Sequence, residues 1–135
     1  MKKILPIMAM LALTLSGCAP IPPAPEKATV PNTYRQVTTQ EAVEIMEQEK
    51  NYIILDVRTP QEYSIGHIPN AVLIPNETIG TEDLPQLPDK SQLILVYCRS
   101  GNRSKQAAEK LVKLGYTNIV EFGGIYSWTG DIVAD

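Results

Sequence analysis

An α/β fold, a parallel sheet with helices on both faces, is predicted by three observations. Branched apolar runs alternate along the chain with helix signals, the order that builds strand–helix–strand units. Two of those runs, Tyr52–Val57 (YIILDV, apolar but for Asp56) and Leu93–Tyr97 (LILVY), are nearly continuous apolar runs, as expected of strands covered on both faces. Two capping boxes, Thr38-Thr39-Gln40-Glu41 and Thr59-Pro60-Gln61-Glu62, mark helix starts between strands.

Tyr34–Val37 is a short strand candidate. The helix after Thr38 places Ala42, Val43 and Met46 inward at helical spacing and Glu44, Glu47 and Glu49 outward, and Asn51 breaks it. Tyr52–Val57 is a strand. Thr59 caps a short helix with Pro60 at its first position. Gly66–Asn70 is a turn and Ala71–Ile74 a strand. Asn76–Lys90 is polar, with a helix possible at its start and loop enforced later by Pro85 and Pro88. Leu93–Tyr97 is the central strand. Ser104–Leu114 is the best helix signal, with Ala107, Ala108, Leu111 and Val112 on one face and Gly115 at its C-terminal cap. Ile119–Phe122 is the last strand, and Gly123-Gly124 leads into a helical turn at Ile125–Trp128.

The chain has 135 residues and a formal net charge of −3. That length suits one small domain after an N-terminal segment. No basic block points to nucleic acid, and two cysteines with one histidine cannot build a zinc-type cluster. No metal or cofactor is expected.

The chemistry concentrates between Cys98 and Ser104, CRSGNRS. A loop this short, between strand and helix, must curl back on itself. Gly101 and Asn102 are the residues best suited to unusual backbone angles. Several N–H groups then point at the Cys98 sulfur and, with the helix start, form a nest for an anion. Arg99 and Arg103 add positive charge. All of these favour thiolate over thiol. The plain alternative, a small buried cysteine at a strand end, does not account for two arginines, a glycine and a helix start within six residues.

At this point the sequence resembles a known family. CRSGNRS after an apolar strand, DVRTPQEYSIGHIPNA before it and GGIYSW after it look like a single-domain rhodanese, over about Gln36–Trp128. The resemblance implies a three-layer α/β/α sandwich with a five-stranded, mostly parallel sheet. It implies that Cys98 is the nucleophile of a thiosulfate sulfurtransferase, taking a sulfane sulfur as a persulfide and passing it to a thiophilic acceptor. Arg99, Ser100, Gly101, Asn102, Arg103 and Ser104 would bind the anionic donor. No general base is needed if the thiol is already ionised.

Two rivals stand beside this reading. Cysteine phosphatases, including rhodanese-like ones, use Cys, five residues, then Arg; here that position is Ser104, Arg103 is one place early, and Tyr97 replaces the usual preceding His. A tetrahedral phosphate needs the longer loop, and arsenate reduction falls under the same objection. The other rival is a sulfur-relay or binding module without turnover, or a redox partner in which Cys98 pairs with Cys18. Outside the cytoplasm a free thiol also needs a reducing or sulfur-accepting protein partner.

The remaining polar residues read as support. His67, in its turn, is either a base for Cys98 or a histidine satisfied by backbone; the second is the expectation. Asp56 and Arg58, at a strand end, are expected to form ion pairs, Arg58 with Glu62 or Asp56 with a loop arginine. Phe122 and Trp128 read as core.

Residues 1–17 read as a signal peptide: Lys2 and Lys3, an apolar stretch Ile4–Leu15 too short to span a bilayer comfortably, then Leu15-Ser16-Gly17-Cys18. That tetrapeptide resembles the lipobox of bacterial lipoproteins, which implies cleavage before Cys18 and its lipidation, with a membrane as partner. Residues 18–34, with Pro20, Pro22, Pro23, Pro25 and Pro31, form an extended tether, and 35–135 the folded domain. The expected location is the cell envelope outside the cytoplasm. Ala19 after the cysteine favours the outer membrane, facing the periplasm, where the host has two membranes.

Overall fold

The computed structural model describes Gly17 and residues 33–135. Residues 1–16 of the signal segment, Cys18 and the tether up to residue 32 lie outside the described residues. Five strands form one sheet: β1 (Arg35–Gln36), β2 (Tyr52–Asp56), β3 (Val72–Leu73), β4 (Leu93–Cys98) and β5 (Ile119–Gly124). Their spatial order is β1-β5-β4-β2-β3, and every neighbouring pair is parallel. Three helices, α1 (Thr39–Gln48), α2 (Pro60–Ile65) and α3 (Asn102–Lys113), connect them.

The period of two along each strand sorts the side chains into two cores. Leu55 and Val57, Ile94, Val96 and Cys98, and Ile119 face α3 with Ala107, Ala108 and Leu111. Ile54, Leu95, Tyr97, Val120 and Phe122 face the other way, against Ala42 of α1 and Ile68 and Ala71. The sheet is therefore sandwiched between helical layers.

Both capping boxes form. The Thr38 hydroxyl accepts from the Glu41 N–H at 3.1 Å and the Thr38 N–H donates to Glu41 at 2.7 Å; Thr59 and Glu62 repeat the arrangement at 3.2 and 3.0 Å. On α1 the inward stripe is Ala42, Ile45 and Met46. Ile45 takes the place expected of Val43 because i, i+3 and i+4 share a face whereas i+1 does not. The helix expected after Asn76 is only a single 3₁₀ turn, Asn76–Thr78. Asn76 is buried there and tied to α3 by the Gln106 amide at 3.0 Å, so a tertiary contact replaces helix propagation. Among the described residues no helix is long and apolar enough to cross a membrane.

Candidate active site

Cys98 is the last residue of β4, and its 1% exposure leaves the sulfur at the floor of the loop that follows. That loop is tighter than the sequence implies. α3 begins at Asn102, with Gly101 as its N-cap, rather than at Ser104. Gly101 adopts φ 109°, the left-handed conformation that glycine takes most cheaply. Asn102 is already helical. The turn at Gly101 aims its N–H at the Cys98 sulfur, 3.0 Å away.

The end of β5 makes room for this turn. The β4–β5 register slips so that Val96 lies opposite Glu121 but Cys98 opposite Gly124, a bulge at the active end of the sheet. A Cβ on Gly124 would sit 2.0 Å from the Arg99 carbonyl oxygen. Gly124 is thus a close-approach glycine, and the GG pair belongs to the Cys98 loop in space although it lies 25 residues downstream.

Burial pushes the Cys98 thiol up, since it disfavours the charged form. The Ser104 hydroxyl contact and the N–H groups of Ser104, Gly101 and Ser100 together outweigh it, and the thiol lies below its ordinary value of 9.0. Ser104 lies wholly inside the protein, under the sulfur, with its oxygen 3.5 Å from Cys98 Sγ. Arg99 and Ser100 are exposed at the rim. The Arg99 guanidinium hydrogen-bonds the Tyr126 hydroxyl and lies 5.0 Å from that ring's centroid.

The ion pairs differ from those the sequence suggests. Arg58 pairs with Asp56, not Glu62, at 2.7 Å. Glu62 instead receives both terminal nitrogens of Arg103, each at 2.8 Å. This fork holds Glu62 at about 2, well below its ordinary 4.5, chiefly through the Arg103 hydrogen bonds and despite partial burial. Arg103 is therefore fastened to α2, flanking the loop, while its charge is still felt at Cys98.

Asp56 and Arg58 sit on the opposite face of the sheet from Cys98, 0% and 5% exposed. The Asp56 carboxylate accepts from Arg58 Nε and Nη2, from the Arg58 N–H and from the Tyr97 hydroxyl at 2.6 Å. Arg58 also donates to the Gly66 carbonyl, and the Ile68 N–H donates to the Tyr97 hydroxyl. Burial and the Asp56 contact push the Tyr97 hydroxyl strongly up, so it stays a donor. This network ties β2 and β4 to the Gly66–Ile68 turn beneath the loop.

His67 contacts Tyr63, Val133 and Asp135, not Cys98: its Nδ1 lies 2.9 Å from the Tyr63 carbonyl and its ring stacks on Tyr63 at 3.7 Å. Phe122 is buried, and Trp128 is half-buried against it at 6.0 Å between ring centroids. Beside the loop a groove of about 460 Å³ runs between Arg99, Tyr126, Ile125, Ile65 and Ile132, with Arg58 at its base. No cluster of metal-ligating side chains occurs among the described residues.

Sequence reading overlooked one residue. Glu121 is 2% exposed, and its carboxylate accepts from the Ser104 hydroxyl at 2.6 Å and the Gly123 N–H at 2.8 Å. An acid placed in line with Ile119 in the last strand was the available signal.

Comparison with known proteins agrees with this architecture. The family described as "Rhodanese-like domain" matches residues 38–131. Thiosulfate sulfurtransferase PspE of Escherichia coli is 37% identical over 71 residues, covering 53% of this chain and 68% of that protein. The adenylyltransferase and sulfurtransferase UBA4 of Candida albicans is 33% identical over 104 residues, covering 72% of this chain and 24% of that protein. The chain spans about a quarter of the length of such two-activity relatives. Among solved structures, a rhodanese with anions from E. coli aligns with a TM-score of 0.58 and 32% identity, covering 62% of this chain and 99% of that one. Sulfur transfer is the activity these curated relatives share by name. With its five-stranded parallel sheet, the cysteine loop at the end of the central strand and a match over 38–131, this chain belongs to the rhodanese-like domain family.

Proposed function

We propose that the protein is a sulfurtransferase that moves a sulfane sulfur from an anionic donor such as thiosulfate to a thiophilic acceptor through a Cys98 persulfide. The observation that carries this reading is the Gly101 N–H aimed at a buried sulfur whose thiol is lowered by its loop. The Cys98 thiolate attacks the outer sulfur of the donor. The donor S–S bond breaks, and the sulfite-like group leaves with the electron pair. The acceptor then attacks the outer persulfide sulfur and restores the thiolate. Only a slim, end-on sulfur reaches a cysteine 1% exposed. Arg99, at the rim and without a carboxylate partner among the described residues, is the cation that attracts the donor. Ser100, Gly101 and Asn102 cradle the transferred sulfur through the loop backbone. Ser104 supports the sulfur from beneath, and Arg103 adds a fixed positive field.

The same geometry disfavours phosphatase chemistry. The arginine that would grip a tetrahedral phosphate is Arg103, and Glu62 already occupies its fork. Incubation with thiosulfate is expected to add the mass of one sulfur to the Cys98 peptide, and cyanide to remove it as thiocyanate. Release of phosphate from an aryl phosphate, with no thiocyanate formed, would sink the assignment.

The N-terminal signal supports a second part of the proposal: Cys18 is lipidated and residues 18–34 hold the domain off a membrane in the cell envelope, facing the periplasm in a two-membrane host. There a reducing or sulfur-accepting protein partner keeps Cys98 in use. Cys18→Ser is expected to move the protein from the membrane fraction to the soluble one. Unchanged partition would remove the lipid anchor.

A further inference from the structure

Glu121 lies on the α3 side of β5, in the same core layer as Cys98. The residue is 2% exposed, and among the described residues no lysine or arginine pairs with its carboxylate. A buried carboxylate without a cation is costly. It is kept by two donors, the Gly123 N–H at 2.8 Å and the Ser104 hydroxyl at 2.6 Å.

That hydroxyl is oversubscribed. Its oxygen is also 2.9 Å from the Gly101 carbonyl, 3.2 Å from the Gly123 carbonyl and 3.5 Å from Cys98 Sγ. A serine hydroxyl has one proton to give. The Glu121 carboxylate offers both the shortest contact and a full charge, so it holds that proton. Ser104 then turns a lone pair toward the sulfur. A lone pair accepts from S–H and opposes S⁻. The carboxylate charge behind it acts in the same direction.

We propose that Glu121 is a positioning residue that governs the ionisation of Cys98 through the Ser104 hydroxyl. While the carboxylate holds the hydroxyl proton, the sulfur is biased toward the thiol. When the proton turns to the sulfur, the thiolate gains its side-chain donor. No bond to carbon or sulfur changes in this step; one hydrogen bond exchanges acceptors. The proposal rests on Cys98 being the reactive sulfur.

Other charged groups do not substitute for Glu121. Arg103 of α3 is the cation felt at Cys98, and it is paired with Glu62 of α2 and influenced by Glu77. Lys105 of α3 and Arg99 of the loop are exposed, the latter turned to Tyr126. β1 places exposed Arg35 and Gln36 alongside Val120 and Glu121, and β4 places Val96 opposite Glu121. Tyr97, Asp56, Arg58 and the acids of α1 belong to the other face of the sheet.

The test is the pH dependence of neutral alkylation at the Cys98 peptide, followed by mass spectrometry in the wild type and in Glu121→Gln. Glutamine keeps the shape and an acceptor but removes the charge. The alkylation midpoint is expected to fall by about one pH unit, so that the thiolate fraction below the midpoint rises roughly tenfold. An unchanged or higher midpoint overturns the proposal. If Glu121→Gln does not fold, the unsubstituted protein decides. Above the thiol midpoint, the Glu121 carboxyl carbon signal in NMR is expected to move when Cys98 is alkylated with a neutral group, and an unmoved signal overturns the proposal. Neither measurement uses sulfur transfer. Loss of the transfer reading itself would appear as absent thiocyanate in the wild type, with the midpoint shift still measurable.

Discussion

Cys98→Ser is expected to lower thiosulfate:cyanide transfer on the order of a thousandfold or more, with the fold intact. The reason is chemical. A serine hydroxyl is not ionised at neutral pH and cannot form a persulfide, so both half-reactions lose their carrier. The structural cost is small because the change is nearly isosteric at a site 1% exposed, and the Gly101 N–H still finds an acceptor. Initial rates of thiocyanate formation, beside thermal unfolding of both proteins, make the check. A variant that retains transfer within tenfold of the wild type would refute Cys98 as the sulfur carrier.

The largest effect on stability is expected from Asp56→Ala, at about 3–5 kcal/mol. Asp56 is wholly buried and receives the Arg58 guanidinium, the Arg58 N–H and the Tyr97 hydroxyl. Alanine leaves a guanidinium 5% exposed with one remaining acceptor, the Gly66 carbonyl, and leaves a buried phenol hydroxyl without its acceptor. The loss is therefore dominated by stranded charge, not by the pair's own attraction. Removing both charges in Asp56→Ala/Arg58→Met is expected to recover part of it. Urea unfolding with an unchanged m-value measures both variants. A loss below about 1 kcal/mol in the single variant would show that Arg58 escapes to solvent.

The ion pairs of Arg103 and Arg58 differ in how far the sequence announces them. Arg103 and Glu62 are 41 residues apart, on different helices, and nothing local signals that they meet. Arg58 and Asp56 are two apart on an extended strand end, the spacing that puts two side chains on one face. Their pairing was therefore open to sequence reasoning, although Glu62 at the helical offset offered a competing partner.

What the sequence by itself determined is the local grammar. The capping boxes at Thr38 and Thr59, the apolar runs of β2 and β4, and the Cys98–Ser104 loop all depend on neighbours within a few residues, where the chain's own stereochemistry decides. The resemblance carried by CRSGNRS and its flanking motifs supplied the family. Tertiary structure alone decided the rest. It brought Gly124 against the Arg99 carbonyl, clasped Arg103 with Glu62, stopped the helix after Asn76 at one turn, and set Glu121 behind Ser104 under the sulfur. Each of these joins residues distant in sequence that meet only when parallel strands come into register. A long-range pairing leaves no periodic trace in the chain that makes it, so the loop could be read from its residues while the acid beneath it could not.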